Sequence, residues 1–191
     1  MPETDDLAGT EDAWYQQLRK QWKPNPVRLL LVAESAPAPG AAAADRRFFY
    51  APTVSRHDNL FRAVVIALYG QRVLTGDDRA ELLGRLRSDG VWLIDLSPFP
   101  VNHLSPGRRQ RTLVEHAPAR VRDIESLTPD GVVICHTLTY RALAPGLTAA
   151  GAPLLHERPI PFPLGNFQAA FVVSFRTAVA PLGLGPDITV A

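Results

Sequence analysis

The chain has 191 residues, which is about the size of one domain. Hydrophobic residues make up 46% of it, enough to bury a core, and a formal net charge of +1 excludes a polybasic protein, so any nucleic-acid surface must be local. The single cysteine, Cys135, excludes an intramolecular disulfide and a four-cysteine metal or iron–sulfur site.

The beginning of the sequence and its hydropathy predict where the protein works. The segment from Met1 to Asp6 is acidic, unlike a signal peptide, and the sequence has no long uncharged apolar stretch that would span a membrane. We therefore expect a cytoplasmic protein with no membrane partner. We also expect a single domain over residues 1–191, with residues 1–26 as a helical extension at its N-terminal end.

Helical and strand-like patterns alternate along the chain. The predicted elements are, in order, a helix at 11–22, a strand at 27–33, helices at 58–70 and 77–90, a strand at 91–95, a helix at 110–127 interrupted at Pro118, a strand at 131–135, a short helix at 138–144, a strand at 152–157 and a helix at 166–179. This alternation predicts an α/β fold with three layers, α/β/α, around a central four-stranded parallel sheet.

Two of the predicted strands stop at a carboxylate. The run VRLLLVA ends at Glu34, and VWLI ends at Asp95. In open parallel sheets the ligand crevice lies beyond the carboxyl ends of the strands, so both side chains should point into one crevice. A helix cap or a surface ion pair would explain either carboxylate alone, but two carboxylates at two strand ends favour a site.

Four short segments carry polar and aromatic residues in a characteristic order: AESAP at 33–37, RRFFY at 46–50, LID at 93–95 and IPFPLG at 160–165. In this order they resemble the motifs of the uracil-DNA glycosylase superfamily, over roughly residues 27–180. Those motifs are a first loop of G-E-A-P-G type, an aromatic residue that stacks on the flipped base, a strand that ends in a base-reading asparagine, and a late loop of H-P-S-P-L-S type.

The resemblance implies a uracil-DNA glycosylase-like fold and a DNA repair enzyme. Such an enzyme flips out uracil, or a related damaged base, and hydrolyses its N-glycosidic bond to leave an abasic site. Its partner would be uracil-containing DNA, single- or double-stranded, and we expect a monomer. The cluster cysteines of the iron–sulfur families are missing here, which implies a site without a metal or other cofactor.

Three positions depart from the motifs of that superfamily. Ile160 replaces the late-loop histidine, Asp95 stands where the asparagine is expected, and Ala33 replaces the first glycine. The histidine contribution to the uracil carbonyl is therefore lost at that position, unless His156 or another group supplies it.

The resemblance implies a catalytic set of Glu34, Ser35 and Asp95. Glu34 would position a water or stabilise positive charge on the sugar as the base departs. Ser35 stands where some members have a catalytic aspartate, and its hydroxyl can hold a water. The backbone N–H groups of Ser35 and Ala36 would donate to the base.

Asp95 changes how the base would be read. An ionised aspartate only accepts hydrogen bonds, whereas a protonated one also donates and can mimic asparagine. Burial beside Glu34 would raise one of the two carboxyl pKa values, so we expect uracil excision to be favoured at acidic pH. The alternative is that Asp95 selects a base with an exocyclic amine, which donates to a carboxylate.

The remaining substrate-binding candidates surround the crevice. Phe49 fits the stacking position best; Tyr50 is a second candidate, although packing in the core is the favoured role for it. Asn59 would either cap the next helix or contact the base edge. Asn102 lies near the expected crevice mouth and would contact water or phosphate.

Arginines and a late loop provide the expected DNA-binding surface. The loop SPGRRQR at 105–111 carries Arg108 and Arg109, and the aromatic loop region carries Arg46, Arg47 and Arg56. The late loop would supply a DNA-intercalating wedge, and its residues are Pro163, Leu164, Gly165 and Asn166. A cap of the following helix is the alternative role for Asn166.

Two functions other than excision stay open. One is a catalytically inactive DNA-binding protein of glycosylase fold, and the other is a small-molecule hydrolase of Rossmann-like fold that uses Glu34 and Asp95. The only lysines, Lys20 and Lys23, precede the first strand, so an active enzyme would not cut the strand through a Schiff base. Cys135 beside His136 suggests a nucleophile pair, but adjacent strand residues face opposite sides, and we assign Cys135 to the core.

Overall fold

The computed structural model describes residues 13–37 and 47–186. Within these ranges the chain forms six α-helices and three β-strands. They are, in order, α1 (Ala13–Gln21), β1 (Leu29–Ser35), α2 (Asn59–Tyr69), α3 (Ala80–Ser88), β2 (Val91–Ser97), α4 (Pro106–Leu127), β3 (Gly131–Ile134), α5 (Thr137–Ala149) and α6 (Gln168–Val179).

The three strands form one parallel sheet in the order β2-β1-β3. The central strand β1 pairs Leu29 with Val91 of β2 on one side and with Gly131 of β3 on the other. Continuous aliphatic strands such as these are stable where helices cover both faces of a sheet. The predicted α/β class with a parallel sheet is confirmed.

The predicted fourth strand at 152–157 is wrong. That segment meets β3 through a single parallel bridge between Val132 and Leu154. The Val132 N–H donates to the Pro153 carbonyl at 2.8 Å, and the Leu155 N–H donates to the Val132 carbonyl at 3.0 Å. Pro153 has no N–H for a ladder, so the pairing does not extend into a strand and the sheet has three strands among the described residues.

The helices pack in pairs, α4 with α5 and α2 with α6. The predicted interruption at Pro118 is wrong, because α4 runs unbroken from Pro106 to Leu127. Pro118 is exposed, where water can satisfy the carbonyl that loses its partner. Consequently the predicted loop at 105–111 is mostly the first turns of α4. None of the helices in these ranges is long and apolar enough to cross a membrane.

Helix α1 belongs to the core as far as it is described, and residues 1–12 of the predicted extension lie outside the described residues. The buried Tyr15 donates its hydroxyl proton to the Pro37 carbonyl at 2.8 Å. The Trp92 indole of β2 donates to the Arg19 carbonyl at 3.2 Å. These contacts hold α1 against the carboxyl end of β1 and the side of β2.

A fully buried arginine holds the aromatic segment in place. Arg79 donates from Nη1 to the carbonyls of Phe48 at 2.6 Å and Phe49 at 2.8 Å, and from Nη2 to the Asp58 carboxylate. Burial lowers the pKa of Arg79 to about 10, against the opposing effect of Asp58, so the guanidinium stays charged at neutral pH. Asp58 precedes α2, and instead of capping it accepts from Arg79 and from the Ser55 N–H.

Removing the charge of Asp58 should destabilise the fold strongly. We expect Asp58→Asn to lower the free energy of unfolding by about 3 kcal/mol, because the Arg79 guanidinium loses its anion inside the core. Asp130→Asn is the matched control, since Asp130 pairs with Arg28 at 3.4 Å and is 57% exposed. That change should cost less than about 1 kcal/mol in urea unfolding. Equal losses in the two variants would contradict the role given to the buried pair.

Candidate functional site

A cavity of about 720 Å³ lies at the carboxyl ends of β1 and β2. It is the place where the two strand-end carboxylates were expected to meet, and both line it. The residues predicted from the sequence that line this cavity are Glu34, Ser35, Ala36, Arg47, Phe49, Asn59, Asp95, Asn102, Arg109 and Leu164.

The two carboxylates lie on opposite sides of the sheet edge. Ala33 pairs with Asp95, and paired residues of parallel strands face the same side. Since successive side chains alternate, Glu34 faces the other side. The cavity therefore wraps over the end of the sheet, with Asp95 on one side and Glu34 on the other.

Glu34 is held by an arginine from α4. Arg109 donates from Nε to Oε1 of Glu34 at 2.7 Å and from Nη2 to Oε2. Such a two-pronged contact fixes the position of the carboxylate and stabilises its charge. The predicted role of Arg109 as a phosphate contact is not supported, because the first turns of α4 direct its side chain inward onto Glu34.

Asp95 is held by an arginine from α1. Arg19 Nη2 lies 2.7 Å from Asp95 Oδ2, and the side chains are 11% and 6% exposed. The sequence suggested a proton on one of two adjacent carboxylates, but each has its own arginine. The two carboxylates therefore contact different arginines on opposite sides of the sheet edge.

Of the two aromatic stacking candidates, Phe49 lines the cavity and Tyr50 belongs to the core. Phe49 is half-buried, lines the cavity and lies edge-on to Phe61, with ring centres 5.3 Å apart. Tyr50 is wrong as a stacking candidate: its buried hydroxyl donates to the Leu93 carbonyl at 3.0 Å and accepts from the Leu93 N–H at 2.6 Å. Asn59 is the first residue of α2 rather than its cap, and it lines the cavity.

The polar side chains of Ser35 and Asn102 also line the cavity. Ser35 Oγ accepts from the Val101 N–H at 3.3 Å, which fixes the hydroxyl oxygen while its proton can still be donated. Asn102 is exposed at the rim. Ala36 is buried beneath them.

His136 is a cavity residue that the sequence reasoning missed as a donor. It precedes α5, and its Nδ1 accepts from the Leu138 N–H at 3.1 Å, so the neutral ring carries its proton on Nε2. Burial lowers the pKa of the His136 imidazole; the Glu34 carboxylate opposes this shift and Arg109 adds to it. Its position after a strand end was the available indication.

The neighbouring cysteine is a core residue, as predicted. Cys135 is fully buried, and burial raises the pKa of its thiol. It therefore forms no nucleophile pair with His136.

The late loop contributes an apolar rim. Leu164 and Phe167 line the cavity mouth while 60% and 57% exposed, and sequence reasoning missed Phe167. Pro163 is buried beneath the loop. Gly165 and Asn166 lie in a short 3₁₀ turn, are exposed, and do not line this cavity. The cap role for Asn166 is wrong, because α6 begins at Gln168.

Among the described residues, the remaining predicted arginines Arg47, Arg56 and Arg108 are exposed. Arg47 lines the cavity, whereas Arg56 and Arg108 do not, and Arg56 donates from Nε to His57 Nε2 at 2.8 Å. Arg108 lies in the first turns of α4. Arg46 lies outside the described residues.

The chain matches none of the models of known protein families, and no curated protein matches it either. Within residues 13–37 and 47–186 there is no group of three or more His, Cys, Asp or Glu side chains placed to hold a metal ion.

His156 stabilises the strand beneath the site in its neutral form. Its Nε2 accepts from the Ile134 N–H at 2.9 Å, and Nδ1 lies 2.8 Å from the Arg158 carbonyl. Burial lowers the pKa of the His156 imidazole from 6.5, with the Arg158 hydrogen bond opposing. The unfolded chain therefore takes up a proton first, so this stability is present above about pH 6.5 and is lost as the pH falls toward the lower folded pKa.

Replacing His156 should weaken that pH dependence. Glutamine places an acceptor oxygen near the Nε2 position but does not titrate. We expect His156→Gln to lose less stability than the wild type between pH 7 and pH 5 in urea unfolding. His103→Gln is the control, because His103 is exposed and should leave the wild-type slope unchanged. A wild-type slope in His156→Gln would contradict this role.

Proposed function

We propose that this protein is a monofunctional DNA N-glycosylase, a divergent member of the uracil-DNA glycosylase superfamily that excises uracil or a related damaged base. The observation that carries the proposal is the cavity at the carboxyl edge of the sheet. It has a carboxylate on each side of the edge, an aromatic wall and an exposed apolar rim. No metal or cofactor enters the proposed chemistry.

The Asp95 side of the cavity would hold the base. Phe49 offers an aromatic face for stacking, as an extrahelical base requires. Asp95 and Asn59 line the same cavity and can contact the hydrogen-bonding edge of the base.

The Glu34 side would hold the sugar and the attacking water. Because Arg109 neutralises much of the Glu34 charge, positioning a water is the better supported role, and stabilising the sugar cation is the weaker one. Ser35 lines the same cavity, but by the alternation along β1 its hydroxyl faces the Asp95 side.

His136 can supply the hydrogen-bond donor that is lost where Ile160 replaces the late-loop histidine. Cleavage leaves negative charge on the departing base, and a fixed N–H donor stabilises that charge. Ile160 is buried, and His156 is engaged with backbone groups. His136 instead lines the cavity with a proton on Nε2, so it is our candidate for the donor to the leaving base.

DNA would be held by local charge and an apolar wedge. Arg47 and Arg108 are exposed and available to phosphates. Leu164 and Phe167 at the rim can enter the gap that a flipped nucleotide leaves in the duplex. Lys20 and Lys23 do not line this cavity, so the expected product is an abasic site in an uncut strand.

One observation favours a second candidate, a DNA-binding protein without catalysis. Both carboxylate oxygens of Glu34 accept from Arg109, which reduces its ability to polarise a water. This candidate predicts DNA binding that weakens with salt and gives no product. A small-molecule hydrolase would show neither DNA binding nor base release.

Excision of uracil should depend on Glu34. We expect alkali-revealed cleavage of a labelled oligonucleotide with one uracil, single-stranded or mismatched, and no cleavage before alkali. Glu34→Gln keeps the shape but removes the charge and should slow excision by about 100-fold. Glu115→Gln, an exposed change on α4, should leave the rate unchanged. Binding without product at any pH from acidic to alkaline would contradict the proposal and support the non-catalytic candidate.

A further inference from the structure

The ion pair between Arg19 and Asp95 bears on which base the cavity accepts. This inference rests on the proposed function. We propose that the cavity prefers a base whose edge offers a ring N–H beside an exocyclic amine, as in guanine and its oxidised derivatives. Uracil, which lacks the amine, would be a weaker ligand of the same cavity.

Asp95 is fixed as a hydrogen-bond acceptor. Arg19 lies 2.7 Å from its Oδ2, and the Asp95 side chain is 6% exposed, so water does little to screen the pair. The guanidinium cannot give up its proton to Asp95, because arginine stays charged in proteins. An ionised carboxylate has about four lone-pair directions, so the contact with Arg19 does not by itself prevent Asp95 from accepting from a base.

The edges of the bases differ in how well they fit such an acceptor. Uracil presents one N–H between two carbonyl oxygens, and a carboxylate that accepts from the N–H faces at least one of those oxygens. Cytosine presents an amine beside a ring nitrogen lone pair, which repels the second carboxylate oxygen. Guanine presents a ring N–H and an amine side by side, and a carboxylate can accept from both at once.

The size of the cavity is consistent with a two-ring base. About 720 Å³ is within the range of pockets that enclose whole small-molecule ligands. Phe49 provides a stacking wall, and the larger face of a purine covers more of it than uracil does.

Binding of free nucleosides tests the preference without requiring catalysis. Isothermal titration of the full chain with 2′-deoxyguanosine, 2′-deoxyinosine and 2′-deoxyuridine compares three edges, and inosine differs from guanosine only by the missing amine. We expect deoxyguanosine to bind about ten-fold more tightly than deoxyinosine, and deoxyuridine to bind no better than deoxyinosine. Equal binding of the two purine nucleosides, tightest binding of deoxyuridine, or no binding of deoxyguanosine would overturn the proposal.

Two variants locate the preference. Asp95→Asn should reduce the gap between deoxyguanosine and deoxyinosine to about three-fold or less, because only the oxygen end of an amide accepts and its NH2 end would face the second donor of the base. Asp123→Asn makes the same change in an exposed pair with Arg120 at 2.9 Å and should keep the wild-type gap. An unchanged gap in a folded Asp95→Asn protein would overturn the proposal. The wild-type comparison decides the matter if that variant does not fold.

The outcome is separable from that of the excision assay. Uracil release together with equal binding of the purine nucleosides would sustain the glycosylase and overturn the edge preference. A clear preference for deoxyguanosine, with no base released from any oligonucleotide, would sustain the edge preference and overturn the glycosylase.

Discussion

Two ion pairs at the carboxyl edge of the sheet determine what the rest of the structure can do. A carboxylate at the end of a buried parallel strand is stable only with a cationic partner and good hydrogen bonds. Arg109 of α4 provides this for Glu34, and Arg19 of α1 provides it for Asp95. Each pair connects a helix to a strand end, so the contacts that hold the fold together also set the charge of the cavity.

The two sides of the cavity are therefore chemically distinct. On one side Asp95 accepts hydrogen bonds beside an aromatic wall, and that wall is held by the buried Arg79 through the backbone of Phe48 and Phe49. On the other side Glu34 lies near His136, a neutral donor. A base and its sugar differ in the same way: the base presents a hydrogen-bonding edge, and the sugar develops positive charge during cleavage. This match between the cavity and a nucleotide underlies the proposed function.

Local sequence patterns predicted part of this arrangement. Hydrophobic runs and their abrupt ends predicted the α/β class and the position of Glu34 and Asp95 at one edge, because strands and their ends depend on local sequence. The arginine partners of these carboxylates could not be predicted, since Arg19 lies 76 positions from Asp95 and Arg109 lies 75 from Glu34. The prediction of a strand at 152–157 was wrong for a related reason. Pairing of this segment depends on β3 and on Pro153, and not on its apolar pattern alone.

The most direct test is a crystal structure with DNA that carries one 2′-fluoro-2′-deoxyuridine, whose glycosidic bond resists cleavage. We expect the flipped base against Phe49 with its edge at Asp95, the sugar beside Glu34, and both arginine pairs intact. A base that remains stacked in the DNA, or DNA bound on a surface remote from this cavity, would contradict the assignment of the cavity as a base-excision site.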